Sequence, residues 1–241
     1  MSKSDHFLFY SSEISDQVLV LGVDEVAHLT QVLRFTEGDE ILVTDGNGTI
    51  FECRIEKMKR DRALCSILSQ KSLASDSPSI TVYIGVPDRD RIETLCEELP
   101  PLGVIKVVPV ITQHCQKNWW DNRWDKCEER FGRKVIASIK QSHNPFSMTI
   151  DFPISFPLAL EAAQGTVLYC DETGTTLANV FADPIPTDVS IFVGPPGGFS
   201  DEEKTILKKF GTAIGLGPWR LRTELAAVTA VSLVNQWRIT E

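Results

Sequence analysis

The chain has 241 residues, 42% of them apolar and 24% charged, with a formal net charge of −9, the profile of a globular protein long enough to bury a core. No stretch approaches the roughly eighteen uninterrupted apolar residues of a membrane span, and Met1-Ser2-Lys3-Ser4-Asp5-His6 lacks the regions of a signal peptide, so a cytoplasmic protein with no membrane partner is expected. Cysteines at 53, 65, 96, 115, 127 and 170 form no Cys-x-x-Cys pair and the four histidines are scattered, which argues against a metal site and a disulfide framework.

In chain order, Phe7-Leu8-Phe9-Tyr10 is a short apolar strand. Asp24 to Arg34 places Val26, Leu29, Val32 and Leu33 at helical spacing, with Asp24 as the cap. Segments 40–44 and 49–55 flank Asp45-Gly46-Asn47-Gly48, a hairpin signal. Ala63 to Leu68 adds a strand, and 1–71 reads as a small β-barrel domain. Ser72 to Ser79, polar and proline-containing, reads as a linker.

From residue 80 to 241 the pattern alternates. Strands are expected at 80–86, 104–110, 166–170, 189–193 and 212–216. Helices are expected at 90–99, 124–142, 201–210 and 224–238. Alternation of this kind predicts an α/β domain with a parallel sheet covered on both faces.

The acidic net charge speaks against a nucleic-acid partner, but basic residues cluster at Lys57, Lys59, Arg60 and Arg62, at Arg89 and Arg91, and from Arg123 to Lys140. A solvated face is the competing reading of each run.

In an open parallel sheet, ligands bind where strands end. After the strand at 189–193 comes Gly194-Pro195-Pro196-Gly197-Gly198-Phe199-Ser200, then a helix with Ser200 as cap and Glu203 three residues on. Paired glycines let a ligand lie against backbone amides. The loop lacks the spacing of a Walker or dinucleotide fingerprint, and a plain tight turn is the alternative. After 212–216 comes Gly217-Pro218-Trp219-Arg220-Leu221-Arg222-Thr223-Glu224, whose arginines and threonine offer donors at a helix start. Asp171 and Glu172, after a third strand, add acids that could take a hydroxyl or an amine.

Gly-Pro-x-Gly-Gly-Phe-Ser, followed by Leu-Gly-x-x-x-Leu-Arg-Thr-Glu, resembles the closing segment of the small-subunit ribosomal RNA methyltransferase E family, of the SPOUT superfamily. The resemblance runs along nearly the whole chain. His28 to Arg34, Glu37-Gly38-Asp39 and Asp45-Gly46 look like that family's PUA-like barrel. Asp90 to Glu93 with Leu102-Gly103-Val104, and Lys140-Gln141-Ser142 with Pro145, look like its catalytic domain.

The resemblance implies a trefoil-knotted, parallel-sheet methyltransferase domain behind a PUA-like RNA-binding barrel. It implies S-adenosyl-L-methionine bound in a bent form by the knot loops, a homodimer built on knot helices, and methylation of uridine N3 in small-subunit ribosomal RNA, free or in the assembled subunit. Leu168, Cys170, Gly194, Gly197, Gly198, Leu216, Gly217, Leu221 and Thr223 are then the cofactor residues. Arg222 is the candidate for stabilising the anion formed at N3, with a cap or dimer salt bridge as its other reading; Thr223 and Glu224 could also simply cap the last helix. His28, Gln31, Arg34, Lys57, Lys59, Arg60 and Arg62 are the candidate phosphate contacts. Trp119, Trp120 and Trp124 could stack on bases or belong to a core or dimer interface.

Several positions depart from the family pattern. Pro196 stands where it has glutamate, Leu225 where it has threonine, and Pro101-Leu102-Gly103 where it has Glu-Leu-Gly. Pro87-Asp88 and His143-Asn144 replace basic residues. Two alternatives follow: a methyltransferase for another RNA acceptor, or a degenerate knot that serves as an RNA-binding dimer without catalysis.

Overall fold

A computed structural model of the chain describes residues 7–74, 79–115, 118–121, 123–177, 180 and 187–239. Two compact units are present: 1–75 with 136–147, and 76–135 with 148–241.

The first unit is a curled mixed sheet of six strands: β1 (Leu8–Tyr10), β2 (Glu13–Ile14), β3 (Val18–Leu21), β4 (Glu40–Thr44), β5 (Thr49–Met58) and β6 (Ala63–Ser72). Their order is β1-β4-β5-β6-β3-β2. Of these pairs β1–β4 is parallel and the rest are antiparallel. The β5–β6 ladder shifts register twice, and such bulges bend a ribbon. Strand alternation sends Phe51, Cys53 and Ile55 inward, to pack with Phe9, Leu19, Leu21, Ile41 and Val43. The β4–β5 turn forms as expected, with Asp45 Oδ1 accepting the amides of Asn47 (2.7 Å) and Thr49 (3.1 Å). Strands β2 and β3 are not foreshadowed by the sequence pattern.

The helix expected over Asp24–Arg34 needs correction. An α-helix, α1 (Val23–Ala27), passes into a π-helical stretch at His28–Leu33, and Gly22, not Asp24, occupies the N-cap, without a side-chain bond. The Thr30 hydroxyl donates to the Val26 carbonyl at 2.8 Å, one turn back in this segment. Arg34 ends the stretch in the left-handed region, φ 58°.

The second unit holds β7 (Ser79–Gly85), α2 (Arg89–Glu98), β8 (Val104–Ile111), β9 (Thr149–Ile150), β10 (Ile154–Ser155), α4 (Phe156–Ala162), β11 (Thr166–Thr175), β12 (Asp188–Val193), α5 (Asp201–Phe210), β13 (Thr212–Ile214) and α6 (Thr223–Ile239). A further helix, α3 (Trp124–Ser142), matches its expected span, and its residues from Ile136 onward group with the first unit. There Lys140 Nζ meets the buried Glu25 carboxylate at 2.5 Å.

The sheet order is β10-β8-β7-β12-β11-β13, with β9 also beside β8, and every pair is parallel. On one face Tyr83 and Phe192, register partners, stack at 4.6 Å and pack with Phe156, Leu160, Phe199 and Leu207 of α4, α5 and the loop before α5. On the other, α6 lies against β7 and β12 beside α2, presenting Ala227, Ala230, Val231 and Val234 as buried residues. Small side chains here let helix and sheet approach closely.

Trp120 and Trp124 are buried, and the Trp124 ring packs on Trp119, Phe131 and Phe152. The Trp119 indole donates to the Pro87 carbonyl at 2.8 Å. Of the three expectations for these tryptophans, the core reading therefore holds for Trp120 and Trp124. Part of the basic run on α3 is neutralised internally. Arg130 meets the buried Glu93 carboxylate at 2.7 Å, and Lys134 pairs with both Glu93 and Glu97.

Candidate functional site at the strand ends

Because all strands of the second unit run the same way, their C-terminal ends share one edge, where a doubly wound sheet places its ligands. The loop after β12 and the loop after β13 meet there. They enclose a cavity of about 560 Å³, within the usual range for small-molecule sites.

The first loop is shaped by close approach. A Cβ on Gly85, the last residue of β7, would lie 2.5 Å from the Pro195 nitrogen, so only glycine lets Pro195 settle against that strand. The Gly198 amide donates to the Pro195 carbonyl at 2.7 Å, closing a tight turn with Gly198 at φ 74°. Behind the turn, Ser200 and Glu203 form the expected capping box: Ser200 Oγ accepts the Glu203 amide at 3.2 Å, and Glu203 Oε2 accepts the Ser200 amide at 2.8 Å. The other oxygen of the same carboxylate accepts the Gln113 amide at 2.8 Å, fastening the loop after β8 to the start of α5. His114 Nδ1 lies 3.1 Å from the Gly198 carbonyl, a distance at which a protonated Nδ1 donates.

The second loop is fastened to the first. Arg220 donates to the Pro196 carbonyl at 2.8 Å. Gly217 has φ 145°, and a Cβ on Gly217 or Gly198 would meet no protein atom within 4 Å. Backbone is thus bare at two points of a cavity wall, as a ligand held by main-chain groups requires.

Of the residues expected to hold a cofactor, Cys170, Gly194, Gly197 and Gly198 line the cavity, as do Leu216, Gly217, Leu221 and Thr223. Leu168 does not; its side chain is fully buried in β11. Arg222 lines the cavity as an exposed cation, and no ion pair involving it occurs among the described residues.

Three further lining residues, Arg91, Lys204 and Trp219, carry no site role in the sequence pattern, and Arg220, expected there only as a donor at a helix start, lines the cavity as well. Arg91 Nη1 meets Glu224 Oε2 at 2.7 Å, tying α2 to α6; Glu224 thereby has a partner, one that helix-cap reasoning does not supply. Lys204 meets Asp171 at 3.0 Å. Burial works to raise the Asp171 carboxyl, but hydrogen bonds from the Thr173 hydroxyl and amide, with the Lys204 ammonium, outweigh it and hold the group down at about 2. Asp171 is therefore a fixed anion. Burial pushes the Cys170 thiol up to about 12, leaving it neutral and a poor nucleophile at neutral pH.

In the first unit a second cavity of about 1030 Å³ lies between the α1/π-helical segment and the β5–β6 turn. Gln31, Lys59 and Arg60 line it; His28, Arg34, Lys57 and Arg62 do not. The His28 ring packs on Phe9 at 5.9 Å. Arg34 and Lys57 are exposed, and Arg62, also exposed, sits 3.6 Å from Asp61.

All six cysteines are free thiols. Among the described residues no group of three metal-ligating side chains occurs, and no helix is long and apolar enough to cross a membrane.

Residues 75–235, which contain the whole edge with its two loops, match the family described as the RNA methyltransferase domain. The chain belongs to this RNA methyltransferase family. Residues 21–68 of the methyltransferase match a second description, the RNA methyltransferase PUA domain, so the curled sheet is a PUA-like barrel. The enzyme is 29% identical to the ribosomal RNA small subunit methyltransferase E of Aquifex aeolicus, over 94% of this chain and 98% of that protein. It is 28% identical to the protein of the same name from Mycobacterium bovis, over 95% and 90%. A crystal structure of a ribosomal RNA small subunit methyltransferase E from Neisseria gonorrhoeae, bound to S-adenosyl methionine, superposes with a TM-score of 0.84 at 25% identity, covering 96% of this chain and 97% of that one.

Proposed function

We propose that this RNA methyltransferase transfers a methyl group from S-adenosylmethionine to N3 of a uridine in small-subunit ribosomal RNA, as a cytoplasmic homodimer with a knotted catalytic domain. The observation that carries the reading is the cavity at the strand ends, walled by bare backbone at Gly198 and Gly217 and closed by the Arg220–Pro196 bond.

The residues present fit the cofactor. Gly194, Gly197, Gly198, Leu216, Gly217 and Leu221 offer main-chain donors and acceptors around a volume suited to a nucleoside with an amino-acid tail. When bound, S-adenosylmethionine supplies an electrophilic methyl group on a sulfonium centre. The protein's part is to align the acceptor and to ease loss of the N3 proton. Arg222 suits the second of these roles. It is a permanent cation at the cavity wall with no carboxylate partner among the described residues, so it can offset charge developing on the uracil. Cys170, held neutral, does not compete for the methyl group.

The barrel supplies RNA contacts through Gln31, Lys59 and Arg60 at its cavity and through exposed Arg34, Lys57 and Arg62. Phosphate contacts of this kind position the substrate, while the catalytic cavity selects the base. Incubation with labelled S-adenosylmethionine and small-subunit RNA from a strain lacking the gene, followed by nucleoside analysis, tests the reading. N3-methyluridine is expected. Label in another nucleoside would replace the acceptor, and no label despite cofactor binding would leave an RNA-binding dimer.

A further inference from the structure

Trp219 is 82% exposed, the most exposed large apolar side chain among the described residues, yet it lines the cavity at the strand ends. Among those residues no ring contact holds it. Leaving an indole in water forgoes one of the largest burial gains open to any side chain. Its neighbours are constrained: Pro218 restricts the chain before it, and the Arg220 side chain is bonded to the Pro196 carbonyl after it. A solvent-facing tryptophan at a cavity mouth, beside a residue bonded across the cavity's two loops, marks a surface awaiting a partner.

The flanking charge selects the partner. Arg220 is bonded to a carbonyl rather than to a carboxylate, and Arg222 has no ion pair among the described residues. Two guanidinium groups in the same loop as an exposed aromatic ring, neither in an ion pair among the described residues, match a nucleotide: phosphate for the cations, base for the ring. A second copy of this chain, with a net charge of −9, could supply carboxylates to these cations, and the dimer measurement below separates that occupant from RNA. An acceptor base must also leave its stack before its ring nitrogen can enter a cavity, and an aromatic platform at the mouth replaces the lost stacking.

We propose that Trp219 stacks on an unpaired nucleobase of the substrate RNA at the cavity mouth, as a positioning residue for the methyl acceptor. This rests on the reading of the cavity as a site of RNA base methylation.

The test uses hexauridylate as the probe, with the full-length protein saturated with S-adenosylhomocysteine. Tryptophan emission of the wild type should be quenched on titration, and the quench should vanish in Trp219→Phe while affinity stays within about threefold. Trp219→Ala should lose about tenfold in affinity, the size expected for one base–aromatic stack. Equal affinity of Trp219→Ala and wild type for hexauridylate overturns the proposal. So does dissociation of a dimer in Trp219→Ala, read by light scattering, with RNA affinity unchanged; the indole would then belong to a subunit interface. Calorimetry of the wild type with S-adenosylhomocysteine, run separately, shows whether the reading of the cavity itself has failed.

Discussion

At the strand ends of the parallel sheet the residues lining the cavity include glycines and prolines, and side-chain bonds fix that backbone: Glu203 on Gln113 and Ser200, Arg220 on Pro196, His114 on Gly198. The barrel's cavity has no glycine in its wall; Gln31, Lys59 and Arg60 line it together with Glu37, Asp61 and apolar residues. A backbone-walled site tolerates drift in side chains that merely pass through it, such as Pro196, but not changes that move the main chain. A side-chain-walled surface tolerates single losses, because each charge contributes a separate, screened increment.

The sharpest way to break this contrast is Gly85→Val. Its Cβ would collide with the main chain of Pro195, and overpacking of this kind costs about 1–3 kcal/mol. The urea midpoint should fall and cofactor binding should be lost in calorimetry, although Gly85 itself does not line the cavity. Unchanged binding would show that the loop is not held by this approach.

Next in size is Glu203→Ala, which removes a helix cap worth about 1 kcal/mol and also leaves the amides of Ser200 and Gln113 without their acceptor. The α5 amides should exchange faster with deuterium. Glu203→Gln, which keeps one carbonyl acceptor, should restore part of the protection.

Asp171 gives a smaller, pH-dependent effect. Its folded value of about 2 lies below the ordinary aspartate value of about 3.9. The Asp171–Lys204 link therefore stabilises the fold fully above the ordinary value and fades as pH falls from about 4 to about 2. Urea midpoints of wild type and Asp171→Asn should differ by a constant amount at about pH 5 to 7 and converge near pH 2. A difference that grew toward acid would reverse the assignment.

The smallest effects belong to the barrel. Lys59→Ala and Arg60→Ala should each lower the slope of RNA affinity against salt by about 1, leaving the cofactor affinity of the second unit unchanged. A loss of cofactor affinity would undo the contrast.

What could be read from the sequence was whatever depends on near neighbours. The Asp45–Gly48 turn, the Ser200–Glu203 box and the span of α3 follow from local hydrogen bonding and 3.6-residue spacing, and all three appear where expected. The misses have local causes too. Val18–Leu21 is too short a run to separate from loop, α4 carries Pro157 in its first turn, and the apolar spacing over 26–33 does not distinguish an α-helix from the π-helical stretch found at His28–Leu33.

The site was legible as two loops but not as one cavity. Gly85, Gln113 and His114 meet the Gly-Pro-Pro-Gly-Gly loop or the α5 cap across about a hundred residues of chain, and no spacing rule reports such an approach. Arg220 and Trp219 stand inside a recognised motif, where their roles depend on what each faces. Arg91 reads in sequence as part of a basic run and of the helix segment Asp90 to Glu93, neither of which reports that it holds Glu224.

The central claim is that backbone at the strand ends holds the cofactor. A crystal of the protein soaked with S-adenosylmethionine tests it most directly. The account predicts density for the whole molecule in the cavity, hydrogen-bonded to main-chain groups of Gly197, Gly198, Leu216 or Gly217, with Arg220 still on Pro196. Density elsewhere, or held chiefly by side chains, would contradict it.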